Sequence, residues 1–276
     1  MSSHETSTAW QQFWERGGWW KAVILAAVYF ALYELVPLVM LPILRPWLAD
    51  PASASYVVAG FIVPVALGGL LLVLFALSLG WFKELFARQP IRGGRWMWAA
   101  VAVVLVFNIL RFATTDYAGA GYAFAAAWMV AGLCIGFAEE VLTRGFVVNL
   151  MRKAGHKELA VALVSAAVFS ALHAGNLLGG QSLFATAFQL LYTFAFGICM
   201  YLTLRVTGNL IWPVLLHAST DPSIFLQTAH HVDSPLSQIA SMGNIPVIAF
   251  GLLAIFFIRG QVASKDGLEA GSLAVR

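Results

Sequence analysis

Charged side chains are scarce in this sequence. Asp, Glu, Lys and Arg make up 11% of its 276 residues, against about a quarter in an ordinary soluble domain. So few charges cannot clothe a water-facing surface of this size, and no soluble domain is left over once the apolar runs are set aside. Cysteine is almost missing: Cys134 and Cys199 both lie in apolar runs, where a thiol behaves as a small buried hydrophobe and gives no reading of redox compartment. No concentrated basic patch exists either. The net charge of +3 comes from residues in short segments between oily runs, which excludes a nucleic-acid surface and marks them as topology signals. Internal repeats are absent. So is a cleavable leader pattern: Glu5 and Glu15 precede the first apolar run and no small-residue cleavage site follows it, so the first span is expected to be retained.

What fills the space instead is hydrocarbon. Hydrophobic residues make up 61% of the chain and the mean hydropathy is +0.82. About 20 apolar residues cross a bilayer, and a single chain without paired strands must do so as helices. The reading is an all-α polytopic transmembrane bundle of about eight spans, at 19–44, 56–80, 96–115, 122–151, 158–174, 183–205, 208–221 and 239–259. Residues 1–18 form an N-terminal interfacial segment with Trp10, Phe13 and Trp14 on one helical face, 19–259 the membrane domain, and 260–276 a polar tail expected to be flexible. With both termini on one side, Arg16, Lys21, Lys83, Arg88, Arg92, Arg95, Arg152, Lys153, Lys157, Arg205, Arg259, Lys265 and Arg276 all fall on that side. Arg45 and Arg111 fall outside and Arg144 within the membrane. The positive-inside rule makes the rich side cytoplasmic, and the expected location is a bacterial inner membrane.

Against this background "GFAEEVLTRG", residues 136–145, is conspicuous. Each Asp, Lys or Arg at a span centre costs roughly 2.5–3.5 kcal/mol on insertion scales, so such residues usually carry function. Three groups stay at membrane depth: Glu139, Glu140 and Arg144 on the fourth span, His173 at the end of the fifth, and His217 with Asp221 on the seventh. Glu140 and Arg144 are four apart and can pair as a structural ion pair, whereas Glu139 is turned about 100° away and has no partner on its own helix. Phe169 and His173 are likewise four apart, as are His217 and Asp221, although Pro222 predicts that the helix ends and turns Asp221 aside. Two histidines and a free carboxylate can perform acid–base chemistry or hold a metal. His4, His156, His230 and His231 read as solvated.

"EEVLTR", "FSALH" and "HASTD" fit, in order, the EExxxR, FxxxH and HxxxN/D motifs, and over residues 125–222 the chain resembles the CPBP family of intramembrane proteases, which includes CaaX prenyl endopeptidases and bacteriocin-processing or immunity proteins. The resemblance implies an intramembrane endopeptidase in which Glu139 activates water with help from His173, His217 and Asp221 stabilise the oxyanion, and Glu140 with Arg144 braces the site. Asp221 departs from the more common Asn: it is either protonated, an orienter of His217, or a metal ligand. No cofactor is favoured; if zinc is used, Glu140, His173 and His217 are the ligands and Glu139 the base. The expected partners are a peptide or membrane-protein substrate and the lipid bilayer, with no nucleic acid. Two other classes compete: a non-catalytic membrane adaptor or immunity protein, and a proton-coupled transporter, for which no repeated broken-helix pattern is present.

Overall fold

A computed structural model describes residues 7–262; His4 and most of the polar tail lie outside them. Among the described residues there is no β-strand, only two isolated bridges, Thr115 with His231 and Lys157 with Gln261. The architecture is an all-α helical bundle.

A short helix, α1 (Ala9–Glu15), starts on a Thr8/Gln11 capping box. Seven helices long and apolar enough to cross a membrane follow: α2 (Trp19–Leu48), α3 (Ala54–Leu79), α4 (Arg95–Ala113), α5 (Tyr122–Lys153), α6 (Glu158–Leu177), α7 (Leu183–Thr207) and α9 (Pro235–Phe257). Between the last two lies α8 (Ile211–Ala229), the eighth helix of the expected set and the most polar. Glycines in left-handed conformation stop α3 at Gly80 (φ 73°) and α7 at Gly208 (φ 76°), the usual way a helix is closed without steric cost. Trp14 of α1 is buried edge-on against Phe75 of α3, with ring centroids 5.1 Å apart.

Pro222 does not end α8, which continues two turns beyond it. A proline in a helix interior leaves the carbonyl four residues back without its donor and crowds it, and neighbouring helices in a membrane make this tolerable. Here α5 provides the neighbour. A Cβ on Gly132 would lie 2.3 Å from both Ala218 O and Pro222 Cγ, and one on Gly136 would lie 2.6 Å from Val214 O. Only glycine permits the two backbones to meet so closely, the small-xxx-small arrangement of packed membrane helices. On the other flank, Asn108 of α4 donates to Ser219 Oγ (2.9 Å) and Thr220 Oγ1 (2.8 Å). The proline turn is thus clamped from two sides.

The basic junctions expected on one side do gather at one end of the bundle. Arg152 and Arg205, read from sequence as loop charges, are buried there instead. Arg152 grips both oxygens of Glu158 at 2.8 and 2.6 Å, Arg205 reaches Glu158 at 3.1 Å, and the Tyr201 hydroxyl donates to the same carboxylate. Arg205 also donates to the backbone of Arg92. The N-terminal segment joins the same end through Lys153, which pairs with Glu15 and Glu84. Arg111, expected outside, is buried on α4 with Asn244 of α9 as its partner at 2.8 Å. His230 is half-buried against Phe124 rather than solvated, while His231 is exposed beside Asp233.

Candidate active site

The sequence of α5 changes character at Glu139. Directly after Glu140 the helix widens into a π-helical stretch, Val141–Val147, a local loosening that recurs at functional sites because it re-aims side chains. Glu139 keeps 24% of its side-chain surface exposed, whereas Glu140 and Arg144 have none. The two adjacent carboxylates therefore sit in different surroundings.

Glu140 takes its donors on one oxygen, Oε1, while its buried Oε2 has no hydrogen-bond partner among the described residues. Arg144 Nη1 reaches its Oε1 at 3.1 Å, and His217 Nδ1 reaches the same oxygen at 2.8 Å. A carboxylate held by a guanidinium accepts rather than donates, so Nδ1 of His217 carries the proton. Arg144 is anchored in turn by Thr143 Oγ1 (2.6 Å) and by the carbonyl of Gly197 on α7 (2.8 Å), and its guanidinium lies 4.7 Å over the Phe169 ring. A side chain on Gly197 would come within 3.0 Å of that guanidinium. Charge, hydrogen bonds and a ring face all converge on one arginine.

The other nitrogen of His217, Nε2, lies 3.6 Å from Glu139 Oε2 and 3.7 Å from Asp221 Oδ2. Asp221 is not turned aside; because α8 runs through Pro222, the two residues stay one turn apart on one face. Glu139 Oε2 has no hydrogen-bond partner among the described residues. The His217 ring stands edge-on to Phe169 (5.6 Å) and Phe196 (5.0 Å), which fixes its tilt.

His173 closes the set. It sits where α6 tightens into a 3₁₀ turn, His173–Leu177, and its Nδ1 lies 2.9 Å from Phe169 O. A carbonyl only accepts, so Nδ1 is the donor and Nε2 is left free as an acceptor in the neutral ring. Glu139 and His173 line one pocket of ≈ 110 Å³ together with Tyr29, Phe30, Tyr33 and Glu34 of α2, Val65, Leu172 and Asn176. At about 1.5 Å of rise per residue both lie roughly 20 Å from the basic end of the bundle. Glu139 and His173 therefore sit at matching depths.

The zinc set fares differently. Glu140 Oε1 is already taken by Arg144 and His217. Among the described residues no three His, Cys, Asp or Glu side chains are gathered to hold a metal ion. Glu140, His173 and His217 are thus not gathered as a zinc centre in this arrangement.

Several contributors went unseen in the sequence. Phe196 and Gly197 belong to α7, to which sequence spacing assigned no role, and Asn108 acts from α4. Glu34 had a readable signal: a carboxylate in the middle of an apolar span with no basic residue one turn away in either direction.

Residues 121–222 match the family model described as Rce1-like, type II CAAX prenyl endopeptidase Rce1-like. This segment holds all seven residues singled out by the three motifs, and it supports the CPBP assignment. No curated protein and no solved structure matches the chain.

Proposed function

We propose that this chain, a member of the CPBP or CAAX protease family through residues 121–222, hydrolyses a peptide bond inside the membrane with Glu139 as the general base. The observation that carries the reading is the contrast between two adjacent carboxylates: Glu140 is fully enclosed with Oε1 held by Arg144 and His217, while Glu139 keeps 24% of its side chain exposed and faces the pocket shared with His173.

Water bound between Glu139 and the free Nε2 of His173 gives its proton to Glu139 as its oxygen bonds to the peptide carbonyl carbon. The carbonyl oxygen becomes an oxyanion, and His217, as the imidazolium held between the Glu140 and Asp221 carboxylates, donates to it through Nε2–H while Nδ1–H stays on Glu140. Losing one such donor typically costs 10²- to 10³-fold in rate. Asp221 flanks Nε2 and orients the imidazole; it is not the oxyanion donor, since an ionised carboxylate would repel that charge. The C–N bond then breaks, Glu139 returns its proton to the departing amine, and the new carboxyl group leaves. The mechanism needs no metal, and the engagement of Glu140 by Arg144 supports that choice.

The substrate is a peptide or membrane protein reached from the bilayer, a prenylated C-terminal tail being one such class. By the positive-inside rule the basic end of the bundle is cytoplasmic, in a bacterial inner membrane. The test is cleavage of a mixed pool of peptides and membrane proteins by the full chain in lipid, beside Glu139→Gln, with fragments read by mass spectrometry. Fragments that appear with wild type and vanish with Glu139→Gln are expected. Equal fragment patterns from two folded proteins would sink the reading and leave a non-catalytic adaptor.

A further inference from the structure

The mechanism leaves one intramembrane carboxylate unused. Glu34 lies near the middle of α2, and its neighbours one turn away, Phe30, Ala31, Pro37 and Leu38, carry no charge. No described residue forms a salt bridge or hydrogen bond with it. An ionisable group at this depth is costly and normally marks a ligand pathway. Glu34 is half-buried, and it lines the same ≈ 110 Å³ pocket as Glu139 and His173.

Its place in that wall is fixed by glycines on two other helices. On α6, two residues past His173, a Cβ on Gly175 would lie 2.8 Å from Phe30 Cζ and 3.0 Å from Glu34 Oε1. On α3, a Cβ on Gly68 would lie 2.6 Å from the Tyr29 hydroxyl, and Tyr29 stacks on Tyr33 with centroids 6.2 Å apart. Removing both side chains lets α2 press Glu34 and the two tyrosines against the reacting groups. The lining holds no Lys or Arg to answer the Glu34 charge.

We infer that Glu34 is a specificity-determining residue, selecting a substrate with a cationic side chain, Lys or Arg, next to the scissile bond and disfavouring one with a free carboxylate there. A bound cation would receive the counter-charge that the protein itself withholds, whereas two like charges facing each other in a dry pocket are strongly discouraged. The inference rests on the endopeptidase reading and narrows its substrate class.

The test uses the full chain reconstituted in lipid and a set of apolar peptides that are identical except for a single Lys, Gln or Glu walked through successive positions. Wild type is expected to favour Lys over Glu beside the cut by about tenfold or more in kcat/KM. Glu34→Gln, nearly isosteric, is expected to level that preference, and Glu34→Lys to reverse it. Should Glu34→Lys fail to fold, the levelling by Glu34→Gln decides alone. A preference unchanged in Glu34→Gln, or a uniform loss across all peptides, overturns the assignment while the endopeptidase reading stands. If wild type shows no cleavage that depends on Glu139, the endopeptidase reading falls and this inference falls with it.

Discussion

Replacing Arg144 by Met isolates what the buried ion pair contributes. Both side chains are fully enclosed, and Met fills much of the volume against the Phe169 ring while removing the charge. Glu140 then keeps His217 as its remaining partner, and the Gly197 carbonyl loses a charged donor. Breaking a buried pair on one side typically costs about 3–5 kcal/mol, because the surviving charge is stranded; that corresponds to a 10²- to 10³-fold or greater shift in the unfolding constant. Removing both charges, as Glu140→Gln with Arg144→Met, should cost clearly less than the two single changes added together. The assay is reversible unfolding of the reconstituted chain by denaturing detergent, run as a double-mutant cycle. A coupling of about 2 kcal/mol or more is expected. Additive effects, or a loss below about 1 kcal/mol for Arg144→Met, would refute the reasoning and mean that water reaches the pair.

Two further outcomes follow from the same geometry. Gly136→Leu drives a side chain into the Val214 carbonyl and the Ala218 amide, 2.6 and 2.7 Å from the added Cβ, so α5 and α8 must separate; a stability loss of about 3 kcal/mol or more is expected, together with loss of cleavage, and a normal unfolding midpoint would contradict the close packing. Incubation with a strong zinc chelator is expected to leave Glu139-dependent cleavage within about twofold, whereas inactivation reversed only by added zinc would restore the metal alternative.

The parts of the site that the sequence disclosed are those set by spacing along one helix: Glu140 with Arg144, Phe169 with His173, and His217 with Asp221. Four-residue spacing survives in the structure even across the π-helical turn, since Arg144 still meets Glu140 at 3.1 Å. The membrane class was legible for a similar reason, because long apolar runs leave no other fold. What stayed hidden depends on neighbours from distant sequence. Pro222 looks like a helix end until Gly132 and Asn108 are seen to accommodate it, and Arg152 and Arg205 look like solvated topology signals until Glu158 is found between them. Glu34 is the exception, having been recognisable as a lone charge in an apolar run.

The knot of Arg152, Glu158, Tyr201 and Arg205 makes the bundle a structure clamped at one end. Away from that clamp, the half of α2 beyond Glu34 presents Leu38, Val39 and Ile43 outward at 68%, 65% and 68% exposure, and Pro37 and Pro42 remove two of its helical hydrogen bonds. In a bilayer, acyl chains cover most of this half of the helix, with protein contacts left to Leu44 and Leu48 near its end. A rod fixed at one end and supported by a fluid at the other takes its resting angle from that fluid. Bilayer thickness and acyl-chain order therefore bear on the angle of the outer half of α2, which continues the helix that carries Glu34.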